Sequence, residues 1–166
     1  SVPAKTIGEL IAYAKANPTA LAYGQPGGLS SGHLTMEYLK NQAGIEILSV
    51  PYKGGGQALL DLLGGNIPLV YTAVAGANQY VATGRIKAIA VSSTKRSPSM
   101  PDVPTFIESG VKDFVIDDWV GLLAPAKTPK PIINKLNQAL NEILNSPEGK
   151  AKLLSMGIFP SPGTPE

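Results

Sequence analysis

Apolar residues recur every three to four positions in several stretches of the chain, and this spacing predicts amphipathic helices. The first such stretch begins at Thr6, a suitable N-cap, and continues to Lys15. In the second, Leu34, Tyr38 and Leu39 are expected to face the core. The predicted helices span residues 6–15, 30–42, 57–63, 75–83, 106–109, 129–145 and 147–156.

Short apolar runs between these helices predict β-strands at residues 20–23, 45–50, 67–74 and 86–92. The last run is rich in Ile, Val and Ala, as expected of a buried strand. The alternation of strands and helices predicts an α/β fold with a parallel or mostly parallel sheet flanked by helices. Beyond a proline-rich connection, residues 114–125 are expected to be extended.

Two glycine-rich segments stand where a predicted strand passes into a predicted helix. The first glycine turn is Tyr23-Gly-Gln-Pro-Gly-Gly-Leu-Ser-Ser-Gly-His33, and the second is Val50-Pro-Tyr-Lys-Gly-Gly-Gly-Gln57. The first N–H groups of a helix have no partner within it, and the helix dipole adds partial positive charge there. Glycine lets a ligand approach this backbone closely. Each turn therefore predicts a site for a carboxylate or a phosphate.

The composition excludes several functions. A net charge of +2 over 166 residues is too small to attract a nucleic acid or an anionic membrane. Cysteine is absent and histidine occurs once, so neither a metal site nor another cofactor is predicted. The glycines match neither the dinucleotide-binding pattern nor the P-loop, which disfavours a nucleotide site.

The segment Gly28-Leu-Ser-Ser-Gly32 matches the G-x-S-x-G pattern of serine hydrolases. A nucleophile elbow places its serine on the tight turn directly after a strand, whereas Pro26, Gly27 and Gly28 lie between Tyr23 and Ser30. The only histidine, His33, is expected on the same helical turn as Ser30, although a triad draws its base from another part of the fold. A serine hydrolase is therefore a disfavoured alternative.

Ordered motifs run through nearly the whole chain. They include Lys5-Thr-Ile-Gly-Glu-Leu10, Val50-Pro-Tyr-Lys-Gly-Gly-Gly56, Asp61-Leu-Leu-Gly-Gly65, Gly84-Arg-Ile-Lys-Ala-Ile-Ala-Val91, Pro101-Asp-Val-Pro-Thr105 and Trp119-Val-Gly-Leu-Leu-Ala-Pro125. Together they resemble the Bug-type solute receptors of tripartite tricarboxylate transporters. The resemblance implies a periplasmic, non-enzymatic protein of the periplasmic-binding-protein type, with two α/β lobes that close over a small organic acid. The acid would be a di- or tricarboxylate, an aromatic acid or an acidic amino acid, delivered to membrane permease subunits.

The resemblance also implies a division into two parts. Residues 1–116 would form the second, ligand-binding lobe, and residues 117–166 would be an incomplete segment that returns to the first lobe, whose N-terminal part this chain lacks. The chain departs from the family pattern at Thr72-Ala73, where many members carry Asp-Asn, and at Asp117-Asp118, where many carry Ser or Thr before the tryptophan. Without their usual cover, the apolar faces of residues 120–124 and of helix 129–145 are expected to promote self-association or a rearrangement of the C-terminal segment.

The predicted carboxylate contacts come from both glycine turns and from the end of the third strand. Backbone N–H groups and hydroxyls would supply most of the recognition, with Lys53 assisting at longer range. Ser30 and Ser31 have an alternative role as N-caps, His33 as a packing residue and Lys53 as a solvated side chain. An effector-sensing domain of a transcription regulator is an alternative function with the same fold. The candidate site residues are Gly27, Gly28, Ser30, Ser31, His33, Lys53, Gly54, Gly55, Gly56 and Thr72.

Overall fold

The computed structural model of the protein describes residues 2–165, which divide into two compact units. The first unit ends at Asp118 and the second begins at Trp119. The first contains α1 (Ile7–Ala16), β1 (Ala22–Gln25), α2 (Ser31–Ala43), β2 (Leu48–Pro51), α3 (Gly55–Leu63), β3 (Leu69–Val70) and α4 (Val74–Ala82). The second contains α5 (Lys130–Asn145) and α6 (Pro147–Ser155).

The first unit is built on a parallel sheet with the strand order β2-β1-β3. Ala22 pairs with Leu48, and Tyr23 pairs with Leu69 on the opposite side. Tyr23 is fully buried and Gln25 is 2% exposed, as expected of a central strand. The predicted α/β class with a parallel sheet flanked by helices is confirmed.

The hydrophobic core joins α1, β1 and α2 to a loop far along the chain. Phe114 is fully buried, stacks on Phe106 with ring centroids 4.3 Å apart and lies 5.1 Å from the ring of Tyr38. This packing holds the end of the first unit against the sheet. The buried members of the cluster are Ala4, Ile7, Leu10, Ala14, Leu21, Tyr23, Met36, Leu39, Ile45, Ile47, Phe106, Val111 and Phe114.

The predicted strand at residues 86–92 is wrong. The segment forms one isolated bridge, between Val91 and Thr105, and most of its apolar side chains are only partly buried. The apolar run determines that the segment packs inward, but a strand also requires a continuous backbone partner, and residues 104–106 supply only two hydrogen bonds to Val91. The predicted strand at 67–74 shortens to β3 for a related reason, because α4 begins at Val74.

Two further predictions are wrong. Residues 106–109 form a turn rather than a helix, and Gly110 ends it with a φ of +91°. So short a segment cannot offset the cost of helix nucleation. Leu34 is 53% exposed rather than inward-facing, because the buried stripe of α2 runs through Gly32, Thr35, Met36 and Leu39 and leaves Leu34 beside it. Within residues 2–165, no helix combines the length and apolar character needed to cross a membrane.

Candidate ligand-binding site

The parallel sheet brings the two glycine turns together. The first glycine turn follows β1, the second follows its neighbour β2, and both strands end at the same edge. The N–H of Tyr52 donates to the carbonyl oxygen of Gln25 at 2.9 Å, and a Cβ on Gly27 would lie 4.0 Å from the carbonyl oxygen of Tyr52. The two turns are therefore in contact at the edge where ligands of such sheets bind.

In the first glycine turn, the hydroxyl of Ser30 serves the protein itself. Ser30 is the N-cap of α2, and its Oγ accepts from the N–H of His33 at 3.2 Å. The same Oγ lies 2.8 Å from the carbonyl oxygen of Gly27 and 3.1 Å from Oε1 of the buried Gln25. Its one proton is directed to these acceptors, so Ser30 shapes the turn. The sequence prediction missed Gln25, although a polar residue ending an apolar strand signals such a role.

Leu29 stands out in the same turn. Its φ is +58°, a left-handed conformation that a leucine rarely adopts, and its side chain is 81% exposed. Backbone strain of this kind often marks positions that contact a ligand. The sequence prediction passed over Leu29, because nothing in the local pattern reveals its backbone conformation.

The imidazole of His33 contacts Leu29 and Glu37. Its Nδ1 accepts from the N–H of Leu29 at 3.2 Å, and its Nε2 lies 3.8 Å from Oε1 of Glu37. Burial alone would raise the pKa of Glu37, but hydrogen bonds from Lys40 and from the hydroxyl of Tyr23 outweigh it and hold that pKa below its usual value. The imidazole does not reach the Ser30 hydroxyl, so the pair does not form a catalytic dyad.

The second glycine turn leaves the N-terminus of α3 open. Its N-cap residue is Gly54, and no side chain caps the helix. Among the backbone hydrogen bonds of the described residues, none is donated by the N–H groups of Gly54, Gly55 or Gly56. A Cβ on Gly54 or Gly56 would meet no atom within 4 Å. These free donors, together with the positive end of the helix dipole, form a place for an anion.

Thr72 lies beside this open helix end. A Cβ on Gly55 would stand 3.1 Å from Oγ1 of Thr72, which follows β3 and is placed there by the sheet. Lys53 is exposed and takes part in no ion pair formed within residues 2–165. The structure thus brings Gly54, Gly55, Gly56 and Thr72 together, with a cation next to them in the chain.

Two other predicted residues lie in the first turn with different surroundings. Gly28 is exposed, and a Cβ there would meet no atom within 4 Å. Ser31 begins α2, and its Oγ donates to Oδ2 of Asp118 at 3.1 Å. The sequence prediction noted Asp118 as a departure from the family pattern but not as a neighbour of Ser31.

The described residues hold no group of three His, Cys, Asp or Glu side chains that could bind a metal ion. The chemistry available at the site is therefore that of hydrogen-bond donors and one nearby ammonium group. It suits the binding of an anion and includes no nucleophile with an adjacent base.

Comparison with known proteins identifies the family. Residues 1–163 match the model of the tripartite tricarboxylate transporter family receptor. The chain belongs to this receptor family. Its members are receptors and not enzymes, which removes the hydrolase alternative. The chain spans about half the length of most curated relatives it matches. A relative from Cupriavidus necator, for example, is 38% identical to this chain, and the match covers 48% of that relative's length.

Solved structures share the fold. A protein from R. palustris, solved with adipate, is 33% identical, with a TM-score of 0.91 over 99% of this chain and 55% of that one. MatC from Rhodopseudomonas palustris, solved with malate, is 29% identical, with a TM-score of 0.83 over 96% of this chain and 55% of its own. The periplasmic binding protein BugD is 34% identical, with a TM-score of 0.81 over 95% and 52%. This chain therefore shares the fold of periplasmic binding proteins over the part of their length that it matches.

Proposed function

We propose that this chain forms part of an extracytoplasmic receptor that binds a small carboxylate and passes it to a membrane transporter. The observation that carries the proposal is the open N-terminus of α3, where three consecutive glycine N–H groups have no partner among the described residues. A carboxylate oxygen accepts two such bonds and gains from the helix dipole. The hydroxyl of Thr72 lies within reach of the same place.

The ligand class follows from this chemistry and from the relatives. Backbone donors recognise any carboxylate, so they specify the charged group and leave the rest of the molecule undetermined. The relatives solved with adipate and malate hold dicarboxylates. A di- or tricarboxylate, an aromatic acid or an acidic amino acid remains within this class.

The lobe assignment belongs to the proposal as well. Residues 1–116 would form the second lobe, and residues 117–166 the segment that returns to the first. The boundary between the two described units falls after Asp118, two residues beyond the proposed one, and supports this division. The family description supports permease subunits as the partner, and the relation to the periplasmic protein BugD supports a periplasmic location.

Titration calorimetry of the complete encoded protein with a panel of carboxylates tests the proposal. We expect binding by at least one acid, and Gly55→Ala to weaken it tenfold or more, because the new methyl group projects toward Thr72. Gly8→Ala is the matched control, since a Cβ there meets no atom within 4 Å. If no acid binds, the proposed function is wrong. If acids bind but both variants bind them equally well, the proposed site is wrong.

A further inference from the structure

The first turn of α2 contains a variant of the capping box. In that motif the N-cap serine or threonine accepts from the N–H three residues later, and a glutamate or glutamine there accepts from the N-cap N–H. Ser30 accepts from the N–H of His33 at 3.2 Å, but the side chain that reaches back is an imidazole. Its Nδ1 accepts from the N–H of Leu29 at 3.2 Å. This acceptor disappears when the ring is protonated, since an imidazolium has two donors and no acceptor.

The backbone of Leu29 is strained, and the imidazole stabilises it. Its φ of +58° is unfavourable for a leucine, and its side chain is 81% exposed, so packing contributes little to holding it there. Among the backbone hydrogen bonds of the described residues, none is donated by the N–H of Leu29. Loss of the imidazole acceptor therefore removes the hydrogen bond that offsets the strain.

The imidazole has an alternative partner on α2 itself. Among the ion pairs within residues 2–165, His33 takes part in one, with Oε1 of Glu37 at 3.8 Å from its Nε2. Lys40 and the hydroxyl of Tyr23 from β1 also donate to that oxygen, at 2.9 and 3.1 Å. Asp118, from the end of the first unit, bonds to the residue that begins α2. Both carboxylates favour a charged ring, whereas Lys40 and the helix dipole oppose it.

We propose that the first glycine turn is a pH-sensitive switch, closed by neutral His33 and opened when His33 binds a proton. In the neutral ring Nδ1 accepts from Leu29. After protonation Nδ1–H faces a second donor, Nε2–H donates to Glu37, and Leu29 relaxes toward a negative φ. The closed turn is therefore present at high pH and is lost as the pH falls through the range in which histidines change charge.

The switch has a consequence for the candidate site. The first glycine turn is one of the two that meet at the edge of the sheet, so its opening would change the shape of that edge with pH. This consequence alone rests on the proposed function. If no carboxylate binds to the protein, the proposed function is wrong while the switch in the turn is unaffected.

NMR of the 166-residue chain tests the switch, because its one histidine makes the imidazole signals unambiguous. At high pH the nitrogen signals should show Nδ1 without a proton. As the pH falls, the Cα and Cβ shifts of Leu29, which follow backbone conformation, should move toward ordinary values. The protection factor of its amide should fall about fivefold or more, the value of one hydrogen bond. His33→Gln and His33→Glu keep an acceptor as in the standard capping box and should hold both quantities constant.

Three results would overturn the switch. The first is a proton on Nδ1 at high pH. The second is a set of Leu29 carbon shifts that stay constant while His33 titrates, which would mean that only the local field changes. The third is an equal response in His33→Gln. Leu29→Gly is a further variant, because glycine adopts a positive φ without strain. The carbon shifts of Gly28 and Ser30 should respond to pH less in this variant than in the unmodified protein, and an equal response would contradict the role given to strain.

Discussion

At the scale of single residues, Gly24 allows neighbouring residues to pack closely against β1. A Cβ there would lie 2.6 Å from Cδ1 of Ile67, 2.9 Å from the Cβ of Ala58 and 3.0 Å from the ring of Tyr52. These neighbours come from both sides of β1, so the position has no space for a side chain. The absence of a side chain at Gly24 is therefore a packing requirement.

We expect Gly24→Ala to lower the free energy of unfolding by roughly 1–3 kcal/mol, the usual cost of overpacking a core. Urea unfolding followed by fluorescence measures the change. Gly8→Ala in α1 is the control, and it should stabilise the protein by up to about 1 kcal/mol because alanine favours a helix more than glycine does. Equal stability of the two variants would contradict this account of Gly24.

A second residue, Glu108, links stability to pH. Its carboxylate accepts from the N–H of Thr105 at 2.7 Å and from Nε of Arg96 at 2.9 Å. The first of these bonds, helped by the second, lowers the pKa of Glu108 below the usual 4.5. The ionised carboxylate therefore stabilises the folded state when the pH is above the usual pKa of a glutamate. This contribution to stability is lost as the pH falls through the lower pKa that Glu108 has in the folded state.

Glu108→Gln should consequently be less stable than the unmodified protein at pH 7, and the difference should shrink as the pH falls below about 4.5. Thermal unfolding at a series of pH values provides the measurement. Glu148→Gln in α6 serves as the control, because it removes the same charge from an exposed side chain that takes part in no ion pair within residues 2–165. A stability difference that stays constant with pH would show that the ionised carboxylate of Glu108 is not the source of that difference.

At the scale of elements, helix ends account for most of what the pattern predicted well. Thr6 and Ser30 cap α1 and α2 as expected, and each accepts a bond from the N–H three residues later. Such caps depend on residues close in sequence, so the local pattern reveals them. The predicted strand at residues 86–92 was wrong because a strand there would have needed a long-range backbone partner.

Ser30→Ala should destabilise the protein by about 1 kcal/mol, because it removes the cap of α2. Ser30→Thr keeps a hydroxyl that can accept from the N–H of His33 and donate to the carbonyl oxygen of Gly27, and it should retain most of the stability. Denaturant unfolding compares the two variants with the unmodified protein. If alanine were tolerated as well as threonine, the hydrogen bonds of the Ser30 hydroxyl would have no net value.

At the scale of the whole molecule, the second unit exposes a large amount of apolar surface. Val120 is 92% exposed and Leu123 is 83% exposed, and the neighbouring Trp119 is 78% exposed. Side chains on α5 add to this surface, among them Ile132, Leu136 and Ile143. Surfaces of this kind normally mark places where another protein surface binds.

We expect the 166-residue chain to self-associate through this surface, since burying it in another copy removes apolar area from water. Light scattering over a range of concentrations should show a mass above that of a monomer. The double substitution Val120→Lys with Leu123→Lys should shift the protein toward the monomer, whereas Leu60→Lys in the first unit should not. A monomer at all concentrations would refute the expectation.

The sequence by itself determined the α/β alternation, the two glycine turns and the resemblance to the receptor family, because helical periodicity, caps and glycine spacing act over a few residues. The tertiary structure alone decided that the carboxylate of Asp118 also lies at the N-terminus of α2, which Ser30 already caps, whereas Gly54 leaves α3 without a side-chain cap. Ser31 and Asp118 are 87 positions apart, so their contact depends on the packing of Phe114 and the bonds of Ser92, which no local pattern encodes.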